Sequence, residues 1–165
     1  MSGMSGSSVT GTARSVQIAD GERLALDTSS LICYLNQWQE ASPSAHAIVD
    51  GLIATGRCDA VIATATVAEL LVQPILLGRA VVDGVVGFLD SLDGLQIRNA
   101  DFLVAAEAAR IRAETGIPLP DALVIATAVL TSSQVLVTDD RRMAAASRRA
   151  VPELRVVILS EVAAV

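Results

Sequence analysis

Acidic residues lie at the ends of apolar segments, or inside one, in four places along the chain. They are Asp27 at the end of Arg-Leu-Ala-Leu-Asp, Glu69 within Thr-Val-Ala-Glu-Leu-Leu, Asp121 after Leu-Pro, and the pair Asp139 and Asp140 after Gln-Val-Leu-Val-Thr. Two carboxylates about 5 Å apart at an effective dielectric constant of about 20 would repel by roughly 3 kcal/mol, so a site that collects them must bind a cation or hold protons. Oxygen ligands without His or Cys suit Mg²⁺ or Mn²⁺ rather than zinc. Such a cation acidifies water and clamps a phosphate in line, which indicates metal-dependent phosphodiester hydrolysis.

Each of these acids, taken singly, also has a structural interpretation. Asp27, before Thr-Ser-Ser, could cap a helix, and Asp121 could be a first-turn residue. Asp139 and Asp140 could form a turn, and Glu69 could lie on a solvated helix face. The four structural interpretations together are improbable. If the acids are instead held close to like charges, Asp27→Asn and Asp121→Asn should leave metal-free stability equal or higher, and a loss would favour the helix-cap interpretation.

The elements that must position these acids alternate along the chain. Short Val-, Ile- and Leu-rich runs predict strands at 24–27, 60–63, 95–98, 134–138 and 156–159. Helices are predicted at about 29–39, 44–55, 65–77, 79–92, 100–115, 121–132 and 141–148. Strands separated by helices imply a parallel sheet, so we predict an α/β fold, a three-layer α/β/α sandwich with a central sheet of four to five strands. Ligands bind at the carboxyl ends of such strands, where all four acidic segments fall.

Composition excludes several other chemistries. The 12 basic residues are all Arg, which rules out a Walker phosphate loop and a Schiff-base lysine. The single His46 cannot supply paired imidazoles, and Cys33 and Cys58 are too far apart for a Cys-based zinc site. The net charge of −6 opposes overall electrostatic attraction to nucleic acid, although it does not exclude a local basic patch.

The Ser- and Gly-rich residues 1–23 predict a disordered tail, followed by one domain over 24–165. The tail has no apolar core of signal-peptide length, and no apolar run reaches the ~18 residues that span a bilayer. We therefore expect no membrane partner and a cytoplasmic location.

Four segments together resemble a known family. They are Leu26-Asp-Thr-Ser-Ser-Leu-Ile, Thr66-Val-Ala-Glu-Leu, Leu119-Pro-Asp-Ala-Leu-Val-Ile-Ala-Thr-Ala and Leu136-Val-Thr-Asp-Asp-Arg-Arg-Met. In order and spacing they resemble the PIN-domain ribonucleases, and within them the VapC-type toxins of bacterial toxin–antitoxin pairs. The resemblance covers residues 24–160.

The resemblance implies specific roles for the matching residues. Asp27, Glu69, Asp121 and Asp140 match the acidic quartet of the family around Mg²⁺ or Mn²⁺, and Ser29 and Thr138 match its supporting hydroxyls. The implied activity is endoribonuclease cleavage, inhibited by a small cognate antitoxin protein. Asp139 could share or take the role of Asp140; otherwise we expect it to cap the helix that carries Arg141 and Arg142, or to hold an outer-shell water.

Other candidate functions and contacts stay open at this point. Arg141 and Arg142, with Arg148 and Arg149 at the other end of their helix, could meet RNA phosphates, while a solvated helix face is the favoured alternative. Apolar helices at about 29–55 and 65–92 are candidates for a homodimer face and an antitoxin groove. A catalytically inactive PIN-like module that binds a partner or RNA is the alternative function. A receiver-type phosphoacceptor is disfavoured because the chain has no Lys.

Overall fold

The computed structural model describes residues 18–36 and 38–162. In this part of the chain five parallel strands form one sheet in the order β3-β2-β1-β4-β5. The strands are β1 Arg23–Leu26, β2 Asp59–Ala63, β3 Leu95–Arg98, β4 Val135–Thr138 and β5 Arg155–Ile158. Each predicted strand is present, and its ends lie within one residue of the predicted ones.

Helices cover both faces of the sheet. They are α1 Thr28–Leu35, α2 Ser42–Ile48 with a π-helical turn Val49–Ile53, α3 Thr64–Leu77, α4 Arg79–Asp90, α5 Phe102–Thr115, α6 Leu119–Leu130 and α7 Arg141–Ala150, followed by a 3₁₀ turn Leu159–Glu161. Helices α1 to α4 pack over one core and α5 to α7 over the other. The predicted three-layer α/β/α sandwich is confirmed.

Strand alternation divides the apolar side chains between the two cores. Val135 and Val137 of β4 face the first core and Leu136 faces the second, as the period of two requires. The core is built from Ala, Val, Leu and Ile, with few aromatic side chains.

Several helix boundaries differ from the prediction by a few residues, and two of these differences have a clear local reason. Helix α1 ends at Leu35 rather than near 39, because Asn36 takes an extended conformation and its N–H closes the last turn on Ile32. Helix α6 begins at Leu119 rather than 121, because Pro120 occupies the first turn, where a missing N–H costs nothing.

The predicted tail falls mostly outside the described residues, which begin at Ile18. Residues 18–22 lie against the domain: Ile18 packs on the first core, Gly21 N–H donates to the Arg57 carbonyl at 2.7 Å, and Asp20 pairs with Arg57. Gly21 does so with φ of +85°, a conformation that favours glycine. Within the described residues no single helix is long and apolar enough to cross a membrane. Helices α5 and α6 reach that length and apolarity only when taken together, and the angle at the break between them is 119°.

Candidate active site

The carboxylate of Asp27 lies at the carboxyl end of β1 and is held on both oxygens. One oxygen accepts the Thr28 N–H at 2.6 Å, which makes Asp27 the N-cap of α1. The other accepts hydroxyl hydrogen bonds from Ser29 at 2.7 Å and Thr138 at 2.9 Å. The side chain is only 6% exposed, so these donors replace the water that a buried carboxylate loses.

The hydroxyls of Ser29 and Thr138 join the ends of β1 and β4. While both donate to Asp27, Ser29 Oγ accepts the Asp139 N–H at 2.8 Å and Thr138 Oγ1 accepts the Asp140 N–H at 2.9 Å. The segment after β4 is therefore fixed relative to Asp27. The two residues predicted to support the acids lie beside them.

Asp140, and not Asp139, caps α7. Asp140 Oδ1 accepts the N–H groups of Arg142 at 2.7 Å and Met143 at 3.2 Å. Asp139 Oδ1 instead accepts the Ser160 N–H at 2.9 Å, in the 3₁₀ turn after β5. The expectation that Asp139 caps this helix is wrong, because the residue directly before the first helical residue Arg141 is the one placed to bond its free N–H groups.

Glu69 comes from α3 and reaches the start of α1. The Thr28 hydroxyl donates to Glu69 Oε2 at 2.6 Å. Because α1 and α3 lie on the same face of the sheet, this bond links the first turn of α1 to the first two turns of α3. The side chain of Glu69 is otherwise exposed.

Asp121 lies in the first turn of α6, and no hydrogen bond from the described residues reaches its carboxylate. Burial raises the pKa of Asp121 most, and the charges of Asp27, Asp140 and Glu69 add to it in that order, so that the pKa of Asp121 lies at about 6. The positive charge of Arg142 acts in the opposite direction on this pKa. Four acids from separate segments thus come within electrostatic reach of one another, and the least compensated is Asp121.

The carboxylates of Asp27, Glu69, Asp121 and Asp140 fit a hydrated divalent cation. Its ligands would be carboxylate oxygens, which Mg²⁺ and Mn²⁺ prefer, and an unpaired, half-buried carboxylate among like charges is stabilised by positive charge. In the described residues no three His, Cys, Asp or Glu side chains are arranged to ligate one ion together. Direct ligation by one or two carboxylates, with water completing the shell, is the mode that Mg²⁺ favours.

Two grooves flank the start of α7. One, of about 400 Å³, lies between α7 and residues 115–118 and is lined by Arg142 and Arg149; we name it the arginine groove. The other, of about 410 Å³, lies towards α1 and is lined by Ser29, Cys33, Gln39 and Arg141 among others. Arg141 also approaches Glu161, with 3.5 Å between Nε and Oε1.

The sequence reasoning passed over two residues at this site. Thr28 is predicted only as part of a helix-capping sequence, yet its hydroxyl donates to Glu69. Gln39 lines the second groove and accepts a hydrogen bond from the buried Cys33 thiol at 3.0 Å. The position of Thr28 next to Asp27 is the sequence signal for the first role; the role of Gln39 depends on the turn after α1, which no residue pattern predicts.

A model of the PIN domain family matches residues 24–149, a span that contains all five acids and the two hydroxyl residues. The chain belongs to the PIN domain family. PIN domains are typically nucleases, and PIN nucleases generally use divalent metal ions. The match confirms the resemblance drawn from the four sequence segments. No curated protein sequence matches the chain significantly.

Solved structures of PIN toxins share the fold. FitAcB from Neisseria gonorrhoeae is 26% identical, with a TM-score of 0.61 over 81% of this chain and 95% of that one. A toxin–antitoxin complex from Klebsiella pneumoniae is 20% identical (TM-score 0.59, 83% and 97% covered). VapBC2 from Rickettsia felis, bound to a promoter DNA fragment, is 17% identical (TM-score 0.58, 82% and 97% covered). The similarity to VapC-type proteins is thus one of fold along nearly their whole length.

Proposed function

We propose that this protein is a Mg²⁺- or Mn²⁺-dependent endoribonuclease that acts as the toxin of a toxin–antitoxin pair. The observation that supports it is the convergence of Asp27, Glu69 and Asp140 on Asp121, whose pKa they raise. A folded chain gains nothing structural from bringing four negative charges together. The arrangement is understandable if a cation binds there during function.

Asp27, Glu69, Asp121 and Asp140 are the residues that would hold the cation. When bound, the cation supplies a water of lowered pKa and positive charge for the phosphate. Asp27 offers an oriented carboxylate because Ser29 and Thr138 fix one of its oxygens. The Thr28 hydroxyl holds Glu69 in the same way. Without a cation, Asp121 takes up a proton near pH 6.

RNA is the substrate class that we propose, and Arg141 and Arg142 are candidate contacts to its phosphates. Both extend from the first turn of α7, next to Asp140, and both are exposed. Because Arg141 lines one groove and Arg142 the other, a strand crossing the acids would pass between them. We place the nuclease unit at residues 24–165 and its action in the cytoplasm, where RNA is accessible.

An apolar surface on the other layer is where we propose that protein partners bind. Ile75, Leu76 and Leu77 at the end of α3 are 64%, 74% and 71% exposed, and Val81 and Val86 of α4 are also exposed. Exposed apolar side chains grouped on adjacent helices are typical of protein interfaces. A homodimer contact and the groove for a cognate antitoxin are the two uses that we assign to helices α1 to α4.

The direct test incubates the purified chain with RNA and Mg²⁺ or Mn²⁺, with EDTA as the control. We expect metal-dependent cleavage that leaves 5′-phosphate and 3′-hydroxyl ends, because water is the nucleophile in metal-assisted hydrolysis. Full activity in EDTA, or 2′,3′-cyclic phosphate ends, would contradict the proposal. Binding of RNA or antitoxin without any metal-dependent cleavage would favour an inactive PIN-like binding module instead.

A further inference from the structure

The arginine groove presents one face of α7. Arg142, Ala145, Ala146 and Arg149 line it, and their spacing of three, four and seven residues places them on one side of a helix. The two arginines are separated by about 10 Å along the helix axis, with only small side chains between them. The opposite wall, residues 115–118, adds no charge, so the lining holds two guanidinium groups and no acid.

Arg149 is not neutralised by an ion pair as most other arginines of the described residues are, and Arg142 is paired only weakly. Arg110 binds Glu107 and Glu114, and Arg57 binds Asp20. Arg149 has no ion-pair partner among residues 18–36 and 38–162, and Arg142 reaches Asp140 Oδ2 only at 4.0 Å. In a chain of net charge −6, a groove lined by two arginines and no acid indicates an anionic ligand.

The groove opens beside Asp27, Glu69, Asp121 and Asp140, which we call the acidic cluster. Pro118, in its wall, is the N-cap of α6, three residues before Asp121. Arg142 follows Asp140 by two residues, and its charge lowers the pKa of Asp121. A polyanion whose reacting phosphate lies over the acids would therefore extend its neighbouring phosphates along α7.

We infer that the arginine groove binds the backbone phosphates of single-stranded RNA adjacent to the phosphodiester that is cut, with Arg142 nearer the acids and Arg149 farther away. The inference rests on the proposed nuclease function and deepens it. RNA suits the groove better than an acidic protein segment, because its two guanidinium groups follow one helix face beside the acids that would act on the RNA. The exposed apolar side chains to which we assign protein partners, Ile75, Leu76 and Leu77 of α3, lie across the sheet from the groove.

The test measures binding of a fluorescein-labelled single-stranded RNA of mixed sequence in Mg²⁺, in an Asp121→Asn background that keeps the probe intact. Arg142→Ala and Arg149→Ala should each weaken binding about tenfold and reduce the salt slope, d log K/d log[salt], by about 0.7 in magnitude. Arg149→Lys should regain most of the affinity because it keeps the charge. The matched control is Arg148→Ala, which removes an exposed charge that, like Arg149, has no ion pair within residues 18–36 and 38–162 and does not line the groove, and which should change affinity less than about twofold.

Equal losses in Arg148→Ala and Arg149→Ala would overturn the inference, because they would show only a general charge effect. Unchanged RNA binding in both groove variants would also overturn it, and weakened binding of poly-L-glutamate in those variants would then indicate an acidic protein ligand. Cleavage of the same RNA by the unmutated chain, measured in parallel, separates the two proposals. If that chain cleaves but the groove variants bind normally, only the groove inference fails; if it does not cleave but the groove variants bind RNA weakly, only the nuclease proposal fails.

Discussion

The two sides of the acidic cluster differ in how many hydrogen bonds their carboxylates accept. On the side of α1 and α7, Asp27 and Asp140 each cap a helix and accept several hydrogen bonds. On the side of α6, Asp121 receives no hydrogen bond from the described residues, and its pKa is raised to about 6. Donors around a carboxylate stabilise its charge in the folded state, whereas like charges destabilise it. The capped acids therefore contribute to the fold through their hydrogen bonds, in addition to the role that we propose for all of the acids in the site, whereas Asp121 makes no such contribution.

From this difference we predict that Asp27→Asn and Asp121→Asn both reduce cleavage. Only Asp27→Asn should also reduce the stability of the metal-free protein. Any acid that binds the cation is needed for cleavage, whatever else it does. Only an acid that also satisfies backbone donors is needed for folding. Substitutions that keep the shape of the side chain and remove its charge separate the two requirements.

The largest expected effect is on cleavage. Asp121→Asn should reduce metal-dependent RNA cleavage by about 10²-fold or more, because it removes the least compensated charge facing the cation. Single-turnover cleavage in saturating Mn²⁺ measures it. Asp83→Asn, which changes an acid of α4 that pairs with Arg79, is the control and should cleave normally. Cleavage by Asp121→Asn within threefold of the unmutated rate would remove Asp121 from the site.

The second-largest expected effect is the difference in cleavage between the Asn variants of the adjacent residues Asp139 and Asp140. Asp140→Asn should lose about 10²-fold in cleavage while keeping its fold, since Asn also caps helices well. Asp139→Asn should stay within a few-fold, because its amide oxygen can still accept the Ser160 N–H. The charge of Asp140, and not that of Asp139, acts on Asp121. The reverse order of activities would make Asp139 the fourth acid.

The comparison of stabilities is expected to be smaller and to differ in sign. Asp27→Asn should lower the free energy of unfolding by about 2 kcal/mol without metal, because the amide NH₂ cannot accept from the Ser29 and Thr138 hydroxyls. This reverses the expectation for Asp27 from sequence, for which no hydrogen-bond partners were known. Asp121→Asn should leave that free energy equal or higher.

Urea denaturation in EDTA measures both changes. Asp101→Asn is the control, since Asp101 caps α5 away from the cluster, and it should change stability by less than about 0.5 kcal/mol. A destabilised Asp121→Asn together with an unaffected Asp27→Asn would refute the contrast between the two sides.

The smallest effect is a pH dependence. The folded pKa of Asp121, about 6, lies above its ordinary value of 3.8, so the folded state binds this proton more tightly than the unfolded chain. Its contribution to stability is therefore full below about pH 4 and is lost as pH rises through 6. Because the group is only half-buried, we expect a change of about 1 kcal/mol. Asp121→Asn should flatten the profile between pH 4 and 6 in EDTA, and an unchanged profile would assign the proton elsewhere.

The fold could be predicted nearly in full because its signals are local and agree. Buried parallel strands are short and apolar, and helices fill the intervals, so β4 is found at Val135–Thr138 against a prediction of 134–138. Because ligands bind at the carboxyl edge of the strands, strand order alone predicts that Asp27 and Asp140 lie near each other.

The hydrogen-bond partners within the site could not be predicted in the same way. Whether Asp139 or Asp140 caps α7 depends on where strand geometry ends, and a shift of one residue exchanges their roles. The bond between Thr28 and Glu69 joins residues 41 positions apart, and the arginine groove depends on how α7 packs beside residues 115–118. Such contacts are set by packing between elements, which residue type and spacing do not encode.

The central claim is that the acidic cluster centred on Asp121 binds a divalent cation, and calorimetric titration of the metal-free protein with Mn²⁺ tests it most directly. The unmutated chain should bind Mn²⁺ and release protons at pH 6, because the cation displaces the proton that Asp121 holds there. Asp121→Asn should lose this proton release and most of the affinity, while Asp83→Asn should retain both. If Asp121→Asn binds Mn²⁺ as tightly as the unmutated chain, or if the unmutated chain binds none, the acids are not a metal site and the account is wrong.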